Sequence, residues 1–175
     1  YRWNWRLRAV RGSANDYSEI FNRVDALNAR GDDFVPAAEA TIDVDQWMRT
    51  FVVNDLAANW DSFGNPGGKN TFHYKPSGER WQLMSWDLDV GLGVFNDPVD
   101  SALFNVGDPV VSKLYANQQF KRSYWHAMRE AVDGFFQRSE VSPVLDAKWA
   151  ALRAAGVPLT SPNVASGHEG LSIPR

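Results

Sequence analysis

The sequence predicts a mainly α-helical α+β fold that contains one small antiparallel β-hairpin. Apolar residues recur at three- and four-residue spacings on both sides of the middle of the chain, which is typical of helices with one buried face. Between them, two alternating segments, residues 70–75 and 80–86, flank the turn sequence Pro-Ser-Gly-Glu at 76–79. A chain of 175 residues, 44% of them hydrophobic, is long enough to bury a core.

The first eleven residues alternate Trp or Leu with Arg, a pattern typical of a strand with one cationic face. An edge strand explains this pattern better than a nucleic-acid patch. The net charge of −3 gives no whole-chain signal for nucleic acid or an anionic membrane. The chain begins at Tyr1 rather than at a methionine, so we expect a piece of a longer protein. We predict a single partial domain over residues 1–175, with a strand or linker remnant at 1–15 and a loop-like tail at 156–175.

Two helices are predicted before the hairpin. The first covers about residues 17–29, where an acidic cap is followed three residues later by Glu19 and then by apolar residues at helical spacing. The second begins near Asp43, again with a polar residue, Gln46, three positions later. Its apolar stripe predicts a core helix and consists of Val44, Trp47, Met48, Phe51, Val52 and Leu56.

Two further helices are predicted after the hairpin. Residues 94–111 are loop-like, and the chain becomes helical again from about Val111. A last helix covers about Pro143 to Ala154. The apolar repeats on which these helices depend are Phe120, Tyr124, Met128, Ala131 and Phe135, then Trp125, Val132 and Phe136, and finally Leu145, Trp149 and Leu152.

Four residues with hard oxygen atoms lie on the loops that flank the hairpin: Asp61, Asn70, Asp87 and Asp89. Carboxylates and a carboxamide at strand ends suit a divalent cation and a phosphorylated ligand better than they suit a core. Asp87 and Asp89 are two positions apart, so their side chains point the same way in an extended chain. The alternative is a strand-end turn with solvated acids.

Several other kinds of site are excluded. The absence of cysteine rules out thiol catalysis, disulfides and cysteine-based zinc sites. An EF-hand fails because Gly91 would occupy its fifth ligand position and Pro98 its twelfth. The three histidines lack the spacing of a zinc pair; we expect them to be structural or solvated, with His73 pointing outward. No apolar run approaches the ~20 residues of a membrane span.

These motifs resemble the spore coat protein H (CotH) family of atypical, protein-kinase-like enzymes. The resemblance is good over residues 39–93 and looser in the flanking helices. The last of its motifs is the most specific, because the family usually shows a Pro-Trp-Asp-x-Asp/Glu segment that ends in Gly. The matching features are Asp43-x-Asp45-x-Trp47, Asn59-Trp60-Asp61, Asn70-x-Phe72-x-Tyr74, and Trp81-x-Leu83-x-x-Trp86-Asp87-x-Asp89 followed by Gly93.

The resemblance implies an ATP- and metal-dependent kinase that phosphorylates serine or threonine hydroxyls of a protein substrate. Asp61 resembles the catalytic-loop aspartate of the family, and Asp87 resembles its metal-binding aspartate. Asn70 and Asp89 would be further ligands of Mg²⁺ or Mn²⁺. Family members occur in bacteria and are often exported, so the resemblance also implies a cell-surface or spore-coat location.

The sequence departs from the family pattern in two ways. Ser85 stands where the family favours proline, which removes no ligand. A kinase also needs a lysine and a glutamate from an amino-terminal lobe, and nothing before Asn15 is long enough to supply that lobe. The chain therefore resembles a kinase carboxy-terminal lobe alone, and we expect it to have little or no activity without the missing lobe.

Two other functions stay open at this point. In a carbohydrate-active or carbohydrate-binding module, Trp60, Trp81 and Trp86 would stack on sugars while Asp61 and Asp87 formed an acid/base pair. In a non-catalytic scaffold, the kinase-like fold would serve interaction alone.

Overall fold

The computed structural model describes residues 13, 15–59, 61–65, 69–88, 102–104 and 107–158. They fall into two compact units, Tyr1–Ile42 and Asp43–Arg175. The strand predicted within residues 1–15 and the tail predicted over 156–175 lie almost entirely outside the described residues, so both stay predictions. Within the described part, no helix is long and apolar enough to cross a membrane.

The described residues form helices and one two-stranded antiparallel sheet, which confirms the predicted mainly α fold with a small hairpin. A 3₁₀ turn at Gly31–Asp33 separates the first two helices. In chain order the elements are α1 Ser18–Asn28, α2 Phe34–Thr41, α3 Val44–Leu56, β1 Thr71–Tyr74, β2 Gln82–Ser85, α4 Pro109–Ala116, α5 Gln118–Asp133 and α6 Arg138–Ala154.

The first unit consists of α1 and α2, which pack on each other. The predicted first helix is confirmed, but its N-cap residue is Tyr17, which makes no side-chain capping bond, and not the predicted Asp16. Asp16 instead accepts hydrogen bonds from the Ser18 N–H at 3.0 Å and the Ser18 hydroxyl at 2.7 Å. Sequence patterns did not predict α2. Its signal is weak because it is short and contains Pro36, which is tolerated in a first turn where the N–H needs no partner.

The second unit is built around α3, and its predicted apolar stripe is confirmed. Trp47 and Met48 are fully buried, and Phe51 and Val52 nearly so. Asp43 caps the helix by accepting a hydrogen bond from the Gln46 N–H at 3.3 Å. Because α3 packs on both β2 and α5, it joins the hairpin to the carboxy-terminal helices.

Helix α3 is attached to β2 by hydrogen bonds from its first turns. The Gln46 amide donates to the Leu83 carbonyl at 2.6 Å and accepts from the Leu83 N–H at 2.8 Å, as a neighbouring strand would. The Trp47 indole N–H donates to the Trp81 carbonyl at 2.8 Å, and the Asp43 N–H donates to the same carbonyl at 2.9 Å. A two-stranded hairpin is marginal alone, so this docking stabilises it.

The predicted hairpin is confirmed, with Phe72 opposite Met84 and His73 opposite Leu83. Leu83 is buried, so His73 faces inward and its ring centroid lies 4.9 Å from that of Phe63. The expectation that His73 points outward was wrong. Alternation places Phe72 on the outer face instead, because the interior side of β1 is set by contact with α3.

The carboxy-terminal helices differ in two ways from the predicted pattern. A break at Asn117, whose side chain caps α5, divides the helical region after Val111 into α4 and α5. Helix α6 begins at Arg138, earlier than the predicted Pro143, and none of its residues is buried. Its apolar repeat therefore contributes to no core among the described residues.

We expect Gln46→Leu to lower the free energy of unfolding by about 2–4 kcal/mol, because it leaves the Leu83 N–H without a side-chain partner and leaves the Leu83 carbonyl only the Thr50 hydroxyl at 3.4 Å. Urea denaturation is the measurement. Gln118→Leu, at an exposed position of α5, is the matched control and should change stability by less than about 0.5 kcal/mol. Equal effects of the two substitutions would contradict this account of how α3 holds the hairpin.

Candidate functional site

The candidate site begins where α3 ends. The Asn59 N–H donates to the Asn54 carbonyl at 2.8 Å and the Ala58 N–H to the Asp55 carbonyl at 3.0 Å, which is the Schellman pattern. Ala58 occupies the left-handed position of this motif with φ of +49°, where glycine is usual. This turn directs the chain from the core helix into the loop that contains Asp61.

Asp61 is a buried carboxylate, with 6% of its surface exposed. Its Oδ2 atom accepts a hydrogen bond from the Asn70 amide at 2.9 Å. Its Oδ1 atom is buried and has no hydrogen-bond partner among the described residues. A buried carboxylate oxygen without a partner is costly unless something else completes it, which is typical of a binding or catalytic position.

Asn70 connects Asp61 to the two strands. The Asn70 N–H donates to the Asp61 carbonyl at 3.0 Å, and the Asn70 carbonyl accepts from the Trp86 N–H at 3.0 Å. Its side-chain amide donates to Asp61 and, at 3.5 Å, to the main-chain carbonyl of Asp87. The end of β2 and the Asp61 loop are therefore held together by one residue.

Asp87 follows β2 and has an exposed side chain. Its φ of +57° lies in the left-handed region, which few residues other than glycine adopt, although Asp and Asn are the most tolerant. Strained backbone of this kind is concentrated at functional sites. The geometry places its main chain beside Asn70 and leaves its carboxylate facing solvent.

A set of hydrogen-bonded polar residues connects the Asp61 loop to α3 and β2. The Asn54 side-chain oxygen accepts hydrogen bonds from Asn59 Nδ2 at 3.2 Å and from the Ser85 hydroxyl at 2.9 Å. The Ser62 hydroxyl donates to the Asn59 carbonyl at 2.9 Å, and Asn65 Nδ2 donates to the Ser62 hydroxyl at 3.2 Å. These bonds join α3, the loop and β2 in one network.

Gly64 brings the same loop against α4. Its φ is +105°, and a Cβ at this position would lie 3.2 Å from Val111 Cγ2. Its carbonyl accepts a hydrogen bond from the Asp108 N–H at 3.2 Å, and Asp108 caps α4 through its side chain. The absence of a side chain at Gly64 therefore permits both the turn and the close approach.

A small cavity with room for about one water molecule lies beside the polar network, where Asp55, Asn65 and Tyr115 contribute to its lining. The Tyr124 hydroxyl donates a hydrogen bond of 2.5 Å to Asp55 and so connects α5 to α3. Burial raises the pKa of Asp55 to about 6, although this hydrogen bond acts in the opposite direction. Burial also raises the pKa of Tyr124 and of Tyr115, both of which interact with Asp55.

The structure brings the side chains of Asp61 and Asn70 together, whereas Asp87 approaches Asn70 only through its main-chain carbonyl and its carboxylate faces solvent. The fourth predicted site residue, Asp89, lies outside the described residues, as does Trp60. The described residues contain no group of three or more His, Cys, Asp or Glu side chains that could hold a metal. The donor types still fit a hard divalent cation, because the Asp61 carboxylate lies against the Asn70 amide and one of its oxygens is buried without a partner among the described residues.

Sequence reasoning missed the supporting residues Asn54, Asn65 and Ser62, and it also missed Lys69. Their signal is faint, because isolated Asn and Ser residues in a loop are more often turn formers than members of a network. Lys69 directly precedes the predicted ligand Asn70, and this adjacency is the sequence signal that could have indicated it.

Comparison with known proteins identifies one family. The family model described as CotH kinase protein matches residues 4–165, which is most of the chain. No curated protein and no solved structure matches it.

Gly64→Ala should lower the free energy of unfolding by about 2–4 kcal/mol, because it combines a strained φ with overpacking against Val111. Gly78→Ala is the matched control: its φ is +77°, but nothing lies within 4 Å of the added Cβ. Gly78→Ala should therefore lower the free energy of unfolding only by the backbone strain, about 1 kcal/mol. Urea denaturation of both variants separates the two effects, and equal losses would refute the close packing of the loop on α4.

The raised pKa of Asp55 predicts a pH-dependent stability. The native state binds this proton more tightly than the unfolded chain does, so ionisation of Asp55 above about pH 6 destabilises the fold. The gap between about 6 and the ordinary 3.8 corresponds to about 3 kcal/mol, which is regained as the pH falls from 6 towards 4.

Asp55→Asn should therefore be more stable than the wild type by about 1–3 kcal/mol at about pH 7.5, and this gain should shrink towards pH 4. Urea denaturation across this range is the measurement, with the exposed Asp146→Asn on α6 as control. Parallel stability curves for Asp55→Asn and the wild type would show that Asp55 does not titrate in this way.

Proposed function

This chain belongs to the CotH kinase protein family, and on that premise we propose that it is the catalytic lobe of an ATP- and metal-dependent protein kinase. In this proposal the fold is a protein-kinase-like carboxy-terminal lobe. Its reaction is transfer of the γ-phosphoryl group of ATP to a serine or threonine hydroxyl of a protein substrate.

The observation that best supports the proposal is the arrangement around Asp61. Its carboxylate is buried, and Asn70 orients it by a hydrogen bond to Oδ2. The other oxygen, Oδ1, has no hydrogen-bond partner among the described residues. Such a group suits a base or positioning residue, because one oxygen is fixed and the other is left to accept a substrate hydroxyl. In phosphoryl transfer the protein mainly positions the reacting groups and neutralises the charge on the transferred phosphoryl group.

The remaining polar residues would hold the cation. Asp87 supplies an exposed carboxylate, and Asn70 retains its side-chain oxygen because its amide nitrogen makes the two hydrogen bonds to Asp61 and Asp87. Asp89 is a further candidate from sequence. Bound Mg²⁺ or Mn²⁺ would neutralise the charge that develops on the transferred phosphoryl group.

The proposal extends to partners and location. The lysine and glutamate that hold ATP phosphates in kinases would come from an amino-terminal lobe of the same protein. The acceptor would be a serine or threonine of another protein, and an exported, cell-surface or spore-coat location in bacteria is proposed from the family resemblance alone.

The carbohydrate hypothesis is weaker once burial is known. Of the tryptophans that it requires, Trp81 is 7% exposed and lies in the core, while Trp86 is exposed. A buried ring offers no face to a sugar. The scaffold hypothesis is distinguished from the kinase only by activity, so the same experiment addresses it.

The test is calorimetric titration of ATP with Mn²⁺ into this chain and into the complete protein that contains it. Asp87→Asn should weaken metal-dependent ATP binding at least roughly tenfold, because it removes a charged ligand. Asp61→Asn should retain binding but lower the phosphorylation rate at least roughly 100-fold, because it removes the base. Asp146→Asn on α6 is the control for both.

Unchanged ATP binding in Asp87→Asn, with the fold intact by circular dichroism, would mean that the metal assignment is wrong. Absence of binding by both proteins, together with a tryptophan fluorescence response to oligosaccharides, would replace the kinase with the carbohydrate hypothesis. Binding by the complete protein alone would support a nucleotide site shared with another lobe.

A further inference from the structure

Lys69 lies beside Asp61 at the candidate site. Its Nζ atom lies 3.8 Å from Asp61 Oδ2, and 72% of its side chain is exposed against 8% for Asp61. Among the described residues this ammonium makes no hydrogen bond. Asp61 and Lys69 therefore form an ion pair in which the carboxylate is buried and the ammonium faces solvent.

The position of Lys69 is fixed by its main chain. Its N–H donates to the Asp61 carbonyl at 3.3 Å, and its own carbonyl accepts from the Thr71 N–H at 2.6 Å at the start of β1. Asp61 and Lys69 are thus joined through the backbone as well as through charge. A lysine at the tip of a free loop would not be held beside one carboxylate in this way.

The ion pair by itself contributes little to stability. The Lys69 ammonium is solvated, and its separation of 3.8 Å from Asp61 Oδ2 is too long for a hydrogen bond, so the pair is worth about 0–1 kcal/mol. The ammonium consequently keeps its three donors for another anion. A polyphosphate that approached Asp61 and Asp87 would otherwise meet two negative charges, so a cation at this point lowers the electrostatic cost of binding.

We propose that Lys69 is a further catalytic residue, whose ammonium contacts the transferred phosphoryl group next to Asp61; this rests on the function proposed above. The acceptor hydroxyl oxygen forms the new bond to the γ-phosphorus, while the bond to the bridging oxygen breaks with its electron pair remaining on ADP. The hydroxyl proton passes to Asp61. Lys69 neutralises the phosphoryl oxygens throughout and neither gains nor loses a proton.

The test compares Mn²⁺-ATP with Mn²⁺-ADP binding by calorimetry in the complete protein. Lys69→Met should weaken ATP binding roughly tenfold and leave ADP binding within about twofold, because the ammonium contacts the γ-phosphate. Lys69→Arg should recover part of the ATP affinity, since it keeps the charge. Lys148→Met, at an exposed position of α6, should bind both nucleotides as the wild type does.

Transfer of label from γ-labelled ATP to a serine- and threonine-containing protein substrate gives a second readout, in which Lys69→Met should lower the rate roughly 100-fold at saturating ATP. The proposal is overturned if Lys69→Met keeps the wild-type preference for ATP over ADP, or if both nucleotides weaken equally. A merely structural role of Lys69 would produce that equal loss. If the wild-type protein bound neither nucleotide, both the proposed kinase function and the role of Lys69 would be overturned. If the wild type bound ATP and Lys69→Met kept its preference for ATP over ADP, only the role of Lys69 would be overturned.

Discussion

The attachment of α3 to β2 is the constraint on which the rest of the second unit depends. Gln46 satisfies the main chain of Leu83 as a third strand would, and Trp47 does the same for the Trp81 carbonyl while filling the core. Without these bonds the hairpin would be a two-stranded ribbon with an unpaired edge. Because α3 also packs on α5, one helix determines where both the hairpin and the helical layer lie.

The candidate site follows from this docking. Helix α3 ends in a Schellman turn, and residues 57–70, which include Asp61, then lead back to β1 of the hairpin that is docked on α3. Asn54 on α3 and Ser85 on β2 contribute to one network beneath that loop. Buried polar networks of this kind are favourable only when nearly complete, so they hold a loop in one conformation.

The buried polar atoms of this loop that lack a hydrogen-bond partner bear on its function. Asp61 Oδ1 and Asn59 Oδ1 are both buried without a hydrogen-bond partner among the described residues. Two such atoms within one short loop are expensive for the fold, and the neighbouring left-handed residue Ala58 adds strain. This cost is consistent with a loop whose shape is suited to a ligand rather than to stability.

The sequence by itself determined the amphipathic helix α3, the hairpin and the residue types of the site, because helical and alternating periodicities and turn residues are local properties. It could not determine that His73 faces inward, that Asn117 divides a helix, or that the apolar residues of α6 stay exposed, since these depend on which surfaces meet. The same holds for Asp61: its position in the chain was predictable, but its burial, its bond to Asn70 and its nearness to Lys69 are set by the docking of α3 on the hairpin, which brings together residues that the sequence only lists in order.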